Sequence, residues 1–447
     1  MACSRNIALI CSFALLWTAE FGFADDLGYT LAPAPSPFTD ETDGEDPTAP
    51  PPVDATRPVS APPSTNATGG ACQIFDVTNY GAVGDGNNPA NEAFQAAWAA
   101  ACKLGAQSTM LVPGGVFLLN PIKFSGPCNV TPGVEIRGRL LAPANMDSFP
   151  DRAWISFETL SQLNITGVGT GVIDGQGQDT WAAHGTCHRD SNCKLAPVGL
   201  DLVAINGGSL GDITSLNSKG FHMGMWGSSN FLIHNANITA PGSSPNTDGI
   251  HISGSSNITV TDSQIGTGDD CISIGASTTN ITITNVQCGP GHGISLGSLG
   301  KYPNEKEVFG LTVRNCTFTG TSNGARIKTW PGSPDNTVSN VIFEDLTMEN
   351  VSNPIIINQN YCDGKHGCSS EPSRVKLTDI HFKNIKGTSF TPAAVTLTCS
   401  EGMPCSEVHL TDIDLQHILA AQSLTAVCSN AQGITAGVQN PTSCLST

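Results

Sequence analysis

The chain repeats with a period of 22 residues between positions 246 and 301, and each repeat carries an ionisable residue at the same phase. These residues are Asp248, Asp270 and His292. Each precedes two apolar residues that flank one small or polar residue, which is the pattern of a strand buried on one face. One strand per repeat of about 20 to 50 residues is typical of a parallel solenoid. Because solenoid strands stack about 4.8 Å apart, the three side chains are predicted to form a ladder.

The same kind of apolar run recurs outside this stretch, beginning near Leu163 and continuing to Val408. A β-propeller blade needs four strands in about 40 residues or more, which a 22-residue period cannot supply. A β-sandwich has no reason to keep a constant repeat phase. We therefore predict an all-β, single-domain, right-handed parallel β-helix of about ten coils, in which insertions are absorbed by the turns.

The chain divides into three regions by composition. Residues 1–24 have the charged start, apolar run and small residues of a signal peptide. Residues 25–70 are acidic and rich in proline, so we expect a disordered tail or pro-segment. Residues 71–447 are predicted to form the β-helix. Its first coil is expected to be capped by an amphipathic helix over Asn88–Cys102, with Asn88 as the N-cap and Gly105 after its end.

Charge and hydropathy exclude several kinds of partner. The net charge is −18, whereas a nucleic-acid-binding protein usually presents a basic face. After the signal peptide, no apolar run reaches the roughly 18 residues that span a bilayer. We therefore expect no nucleic-acid or membrane partner, and a secreted, extracellular or cell-wall monomer.

Cysteines and glycosylation sequons agree with export. Removing the signal peptide leaves fourteen of the sixteen cysteines. An even number of cysteines in an exported chain indicates that they form disulfides. Four pairs are close enough in sequence to predict local loops: Cys187–Cys193, Cys362–Cys368, Cys399–Cys405 and Cys428–Cys444. No C-x-x-C pair supports zinc. The N-x-S/T sequons are Asn66, Asn129, Asn164, Asn237, Asn257, Asn280, Asn315 and Asn350, and an asparagine that shapes a coil corner explains several of them as well as a glycan does.

The ladder also has the composition of an acid–base site. Asp269 stands beside Asp270, and like carboxylates this close raise the pKa of at least one of them, which is how a general acid is kept protonated. About two coils' worth of residues further on, Arg326 and Lys328 are predicted to project from the same face. A guanidinium beside an ammonium suits a carboxylate ligand.

Four stretches match in order the motifs of the polygalacturonase family of glycoside hydrolases. They are Asn246-Thr247-Asp248-Gly249, Gly268-Asp269-Asp270, Gly291-His292-Gly293 and Arg326-Ile327-Lys328. The likeness runs from about Phe75 to the C-terminus, and the segment 297–305 resembles plant pollen-type exopolygalacturonases.

This resemblance implies a β-helix that hydrolyses the α-1,4 bonds of polygalacturonic acid, a pectic polysaccharide, without a cofactor or metal and with inversion at the anomeric carbon. It also implies a role for each motif residue: general acid (Asp269), activation of water (Asp248 and Asp270), tuning of the acid (His292), binding of the galacturonate carboxylate (Arg326 and Lys328) and lining of the site (Asn246 and Tyr361).

Some features depart from the family pattern or leave a choice open. Carboxylates about 5 Å apart are closer than the roughly 6.5–9.5 Å typical of inverting enzymes. Asn358 stands where relatives usually carry Asp, and Ala325 where a larger apolar residue is usual. Exo action is favoured by resemblance, with the insertion 176–197 as a candidate wall at one end of the cleft. Endo action, a calcium-dependent pectate lyase and an inactive cell-wall binding protein are the alternatives.

Overall fold

The computed structural model describes residues 72–184, 195–363, 367–419 and 421–445. The predicted signal peptide (1–24), the predicted tail (25–70) and the predicted Cys187–Cys193 pair lie outside the described residues.

Strands dominate the described chain, with two α-helices, α1 (Asn91–Lys103) and α2 (Gln178–His184), and two 3-10 turns, Val77–Tyr80 and Met146–Ser148. The strands are, in chain order, β1 (Gln73–Asp76), β2 (Asp85–Pro89), β3 (Ser108–Val112), β4 (Val116–Leu118), β5 (Ile122–Ser125), β6 (Gly133–Ile136), β7 (Arg139–Leu141), β8 (Ala153–Glu158), β9 (Ser161–Thr166), β10 (Val172–Asp174), β11 (Val198–Val203), β12 (Asn206–Leu216), β13 (Met223–Trp226), β14 (Ser229–Thr239), β15 (Ile250–Ser253), β16 (Ser256–Gly266), β17 (Ile272–Ile274), β18 (Thr279–Cys288), β19 (Ile294–Leu299), β20 (Val308–Arg314), β21 (Thr317–Thr319), β22 (Asn323–Thr329), β23 (Asn336–Val351), β24 (Asn353–Asn358), β25 (Val375–Ser389), β26 (Ala393–Thr398), β27 (Cys405–His417), β28 (Thr425–Ser429) and β29 (Ala431–Asn440).

These strands build two long parallel sheets that wind around one core. The front sheet takes one strand from each coil, in the order β5, β8, β11, β13, β15, β17, β19, β22, β24, β26 and β28. The back sheet begins as two rows, β1–β3–β6–β9 and β2–β4–β7–β10, which merge where the long strand β12 pairs with both β9 and β10. The predicted parallel β-helix of about ten coils is confirmed, since the front sheet has eleven strands within the described residues.

In the core, residues at the same position of successive strands stack on one another, as the sequence period requires. Ile250 pairs in register with Ile272, Ile272 with Ile294, and Ile294 with Ala325. All four side chains are fully buried. Full burial of one isoleucine stabilises the fold by about 1.5–3 kcal/mol, so the repeated row is a major source of stability.

The predicted capping helix exists, but it starts later than expected. Helix α1 begins at Asn91 and its N-cap is Ala90, which has no side chain to cap with. Asn88 instead lies in β2 and donates a 2.7 Å hydrogen bond to Asp85. The start at Asn88 was wrong because residues 85 and 89 pair with β4, a tertiary contact that local capping signals do not reveal.

Helix α1 covers the first coils through its apolar face. Trp98 contacts Phe124 and Phe157 at ring-centroid distances of 5.3 and 5.7 Å, and its indole N–H donates to the Ser125 carbonyl. Phe94 contacts Phe117 edge-on at 5.9 Å. The helix therefore acts as the predicted cap.

Disulfides link neighbouring turns and coils. The predicted pairs Cys362–Cys368, Cys399–Cys405 and Cys428–Cys444 are confirmed. Two further bonds, Cys102–Cys128 and Cys271–Cys288, were not predicted from the sequence. Within the described chain, no helix has the length and apolar character needed to cross a membrane.

The sequon asparagines Asn257 and Asn280 occupy corners of successive coils. Both have left-handed backbones, with φ of +56°. The Asn280 side-chain amide donates to Asn257, which in turn donates to Asn230, at 3.2 and 3.1 Å. This amide ladder gives both asparagines a structural role that does not need a glycan.

Candidate active site

The predicted ladder forms on one face of the β-helix. Asp248, Asp270 and His292 each lie two residues before a front-sheet strand, and the strands β15, β17 and β19 pair in register. Cys271, the residue after Asp270, is fully buried and bonded to Cys288. The fold therefore brings the three ionisable side chains together on adjacent coils.

Asp269 and His292 form a hydrogen-bonded pair across two coils. His292 Nδ1 lies 3.0 Å from Asp269 Oδ1, which also accepts a 2.8 Å bond from the backbone N–H of Asp270. Burial opposes ionisation, but the hydrogen bond and charge of His292 outweigh it and lower the pKa of Asp269. The same bond raises the pKa of His292 above its ordinary value, despite burial. In the free site the shared proton therefore lies on the imidazole.

Asp248 is the carboxyl whose pKa burial and crowding raise. Its side chain is 5% exposed, and Ser273 Oγ donates a 2.7 Å hydrogen bond to its Oδ2. Burial first, and then the charges of Asp269 and Asp270, raise the pKa of Asp248 well above its ordinary value. The expectation that crowding raises the pKa of at least one carboxyl is met at Asp248 and not at Asp269, because only Asp269 has His292 beside it.

Asp270 is surrounded by cationic and hydroxyl donors. Lys328 Nζ donates to Oδ2 at 2.8 Å, and Arg326 NH1 lies 3.9 Å from Oδ1. Ser295 Oγ donates to the same Oδ1 at 2.7 Å. Charge-assisted hydrogen bonds of this kind hold a buried carboxylate in one orientation.

Arg326 and Lys328 lie on the same face as the acids, as predicted, and on the coil that directly follows His292. Strand β22 pairs directly with β19, so the coil between them is simply longer. Lys328 is 8% exposed. Burial acts to lower its pKa, yet the Asp270 carboxylate outweighs burial and raises the pKa above its ordinary value. Lys328 is thus a counter-ion of Asp270 before any ligand arrives.

Tyr361 completes this side of the site. Its ring centroid lies 5.4 Å from Arg326 Cζ and 5.2 Å from Lys328 Nζ. Asn358 shapes the turn that leads to the tyrosine, because its Oδ1 accepts a 2.9 Å bond from the backbone N–H of Asn360. An aspartate would accept that bond equally well.

Asn246 differs from the other predicted residues in its surroundings. It is exposed in the turn before Asp248, with a left-handed φ of +53°. Its side chain is free to reach a ligand at the edge of the site.

Sequence reasoning missed a second ladder of side chains behind the acids. His251, Ser273 and Ser295 pair in register along the front sheet. His251 Nδ1 lies 2.8 Å from Ser273 Oγ, and the imidazole ring stacks on Phe221 and Trp226 at centroid distances of 5.0 and 4.7 Å. Burial lowers the pKa of His251 to about 3. The signal was present, since these positions have the same 22-residue spacing as the acids.

The neutral imidazole fixes the direction of this hydrogen-bond chain. Because Ser273 uses its proton to bond Asp248, its oxygen accepts from the Nδ1–H of His251. The chain therefore ends with a hydroxyl donor aimed at Asp248.

Three residues of the cluster have the side chains of possible metal ligands. Asp269, Asp270 and His292 each offer a ligand atom, and these atoms lie within 4.8 Å of one another. Hard cations such as Ca²⁺ seek six to eight oxygen ligands. Here a nitrogen is one of the three ligands, and Lys328 and Arg326 already compensate Asp270. The residues present therefore suit acid–base chemistry better than a cation.

Comparison with known proteins identifies the family. A match to the description "Glycosyl hydrolases family 28" covers residues 102–444. An exopolygalacturonase from Platanus acerifolia is 45% identical over 369 residues, 82% of this chain and 97% of that protein. An exopolygalacturonase from Arabidopsis thaliana is 44% identical over 83% of this chain and 82% of that protein.

A solved structure supports the same assignment. The endo-xylogalacturonan hydrolase from Aspergillus tubingensis superposes with a TM-score of 0.69 at 25% identity, covering 82% of this chain and 99% of that one. The chain therefore belongs to family 28 of the glycosyl hydrolases.

Proposed function

We propose that this protein is a secreted, monomeric exopolygalacturonase that hydrolyses the α-1,4-galacturonosidic bonds of polygalacturonic acid. The observation that carries the proposal is the contact between the acid cluster and the basic pair: Lys328 Nζ lies 2.8 Å and Arg326 NH1 lies 3.9 Å from Asp270. When this pair binds the carboxylate of a uronate, the glycosidic bond of that sugar would lie beside Asp269 and Asp248. The names of the plant relatives support the same substrate and exo action.

In this mechanism the Asp269–His292 pair supplies the proton. Asp269 transfers it to the glycosidic oxygen as the bond to the anomeric carbon breaks, and His292 restores it through their hydrogen bond. A water attacks the anomeric carbon from the opposite side. Asp248, in its ionised form, accepts a proton from that water, while Asp270 orients it. The cleavage needs no cofactor, because the protons lost and gained balance within the site.

Asp269, the proposed general acid, and Asp270, which orients the water, lie close together. Asp269 and Asp270 offer oxygens within 4.8 Å of each other, which is shorter than the spacing typical of inverting enzymes. A third carboxyl, Asp248, lies one coil away from Asp270. We assign the attacking water to the space between Asp248 and Asp270, and we keep inversion as the proposed outcome.

Exo action is supported by the described ends of the insertion 176–197. Helix α2 lies in this turn, two coils before Asp248 and so about 10 Å along the cleft. Its base is fixed by Lys219, a buried lysine whose Nζ donates to the carbonyls of Gly175 and Gln176 at 2.5 and 3.1 Å. Trp181 Nε1 donates to the Lys219 carbonyl at 3.2 Å. A fixed wall at this distance would leave room for a chain end only.

A lyase would use the same substrate differently. It needs bound Ca²⁺ and a base that removes a proton next to the uronate carboxylate. The compensated charge of Asp270 argues against such a cation.

Product analysis on purified protein tests the proposal. Incubation with polygalacturonate should release reducing sugar without a product that absorbs in the ultraviolet, and chelator should leave the rate unchanged. On an oligogalacturonide of defined length, the only early products should be galacturonate monomer and the oligomer that is one sugar shorter. An unsaturated, chelator-sensitive product would establish the lyase, early mixed oligomers would establish endo action, and binding without turnover would establish an inactive binding protein.

A further inference from the structure

The loop that follows β19 is held rigid by one carboxylate. Glu305 accepts hydrogen bonds from the backbone N–H groups of Gly300, Lys301 and Tyr302, at 2.6, 2.9 and 2.9 Å. Gly300 has a φ of +81°, which only glycine adopts readily. The side chains of the next two residues are therefore presented in fixed positions.

Lys301 extends from this loop over aromatic rings. Its Nζ lies 4.9 Å from the ring centroid of Trp330 and 5.8 Å from that of Tyr302. Lysine, tyrosine and tryptophan are each partly exposed. Among the residues that the structure describes, Lys301 forms no salt bridge. The nearby Glu305 carboxylate, whose pKa burial raises and the charge of Lys301 acts to lower, is occupied by three backbone N–H groups. The ammonium is thus positioned without a direct ion pair.

The same rings connect Lys301 to the active site. Trp330 meets Tyr361 edge-on at a centroid distance of 5.6 Å, and Tyr361 lies 5.4 Å from Arg326 Cζ. Trp330 is also two residues after Lys328 in the sequence. A continuous aromatic and cationic surface therefore runs from the Arg326–Lys328 pair to Lys301.

We propose that Lys301, Tyr302 and Trp330 form a second uronate-binding subsite, in which Lys301 binds the carboxylate of a further sugar and Trp330 packs against its ring. This inference rests on the proposed function, since it assigns the next residue of the polygalacturonate chain to this surface. A uronate polymer carries one carboxylate per sugar, so each subsite gains from its own cation. Aromatic side chains pack well against the apolar face of a sugar ring. The Lys301 ammonium, held over the rings of Trp330 and Tyr302, stays accessible to a carboxylate at the edge of this aromatic surface.

The subsite also explains how an acidic protein accepts an acidic polymer. Attraction depends on the local field of a cleft more than on net charge. Lys301, Arg326 and Lys328 lie on one surface, so the field there is less negative than the total charge indicates.

A chain-length series with a charge-neutral variant tests the subsite. In Lys301→Gln, KM for oligogalacturonides of three or more sugars should rise about tenfold, as expected for the loss of one charged hydrogen bond, with kcat little changed. The two sugars of digalacturonate fill only the two subsites that flank the cleaved bond, and the Lys301 subsite lies beyond them, so the kinetics of digalacturonate should stay as in the wild type. Lys301→Arg should restore affinity for long substrates. Lys376→Gln, which removes an exposed lysine on the back sheet, controls for net charge.

The outcomes separate this inference from the proposed function. If the wild type releases no sugar from any oligogalacturonide, the proposed function fails. If the wild type is active and Lys301→Gln matches it at every length, the subsite does not exist. An equal loss on digalacturonate would place Lys301 in the cleavage subsite itself, and an equal loss in Lys376→Gln would reduce the effect to net charge; both results overturn the inference.

Discussion

Ser273 donates a 2.7 Å hydrogen bond to Asp248, and the same hydroxyl lies 2.8 Å from His251 on the preceding coil. This bond favours the ionised form of Asp248, whereas burial and the two neighbouring carboxylates favour the protonated form. The pH at which Asp248 becomes a base is therefore set by a balance to which one serine contributes.

Ser273→Ala should move the acidic limb of kcat/KM to higher pH. Loss of the hydroxyl removes an effect that lowers the pKa of Asp248, so ionisation of the base needs a higher pH. The pH–rate profile measures this directly. Ser263→Ala, at a buried serine that bonds only backbone groups of the back sheet, is the matched control. An acidic limb that stays in place would show that Ser273 does not act on Asp248.

Asp269→Asn should reduce kcat by about 10²–10⁴-fold, the usual contribution of a general acid. The amide keeps the size and part of the hydrogen bonding of the carboxyl but has no proton to transfer. Thermal unfolding should be little changed, because the side chain lies at the edge of the core. Wild-type turnover in this variant would remove Asp269 from the mechanism.

The activity should fall on the alkaline side as pH rises through the raised pKa of His292. Below that pKa the Asp269–His292 pair holds the proton that catalysis needs, and above it the proton is lost. The optimum should therefore lie below the raised pKa of His292. His292→Asn leaves the proton to Asp269 alone, so the alkaline limb should move to lower pH. A rate that climbs steadily to pH 8 in the wild type would contradict this assignment.

Lys328→Met should destabilise the protein by about 3 kcal/mol, the lower part of the range for breaking a buried ion pair. The cost arises because the Asp270 side chain, only 1% exposed, would lose its 2.8 Å cationic partner and keep only Arg326, at 3.9 Å, as a charged partner. Urea unfolding gives the free energy. Adding Asp270→Asn should recover part of the loss, and a double variant as unstable as the single one would argue against the ion pair as its cause.

The first sugar released should have the opposite anomeric configuration to the α-linked bond. Water between Asp248 and Asp270 attacks the face away from Asp269, which inverts the anomeric carbon. Proton NMR recorded in the first minutes of hydrolysis distinguishes the two anomers. Initial release of the α-anomer would instead make one of the closely spaced carboxylates a nucleophile.

The start of helix α1 and the coil after His292 show where local patterns were insufficient. Asn88 and Pro89 carry good helix-start signals, yet Pro89 pairs with β4 and the helix begins at Asn91. Similarly, the spacing in sequence did not show how many coils separate His292 from Arg326, which lies on the next coil. Turn lengths and long-range strand pairing are not encoded in a short window of sequence.

The sequence by itself determined the solenoid, because a strict 22-residue period with alternating apolar residues can bury its strands only by stacking them. The period also placed Asp248, Asp270 and His292 at successive heights of one face. Only the tertiary structure decided which side chain each acid contacts: His292 for Asp269, Ser273 for Asp248, and Lys328 for Asp270. The phase of the repeat fixes the coil and the face on which a residue lies. The protonation of each acid, however, depends on its burial and on hydrogen-bond donors about 3 Å away, and both follow from how the coils pack.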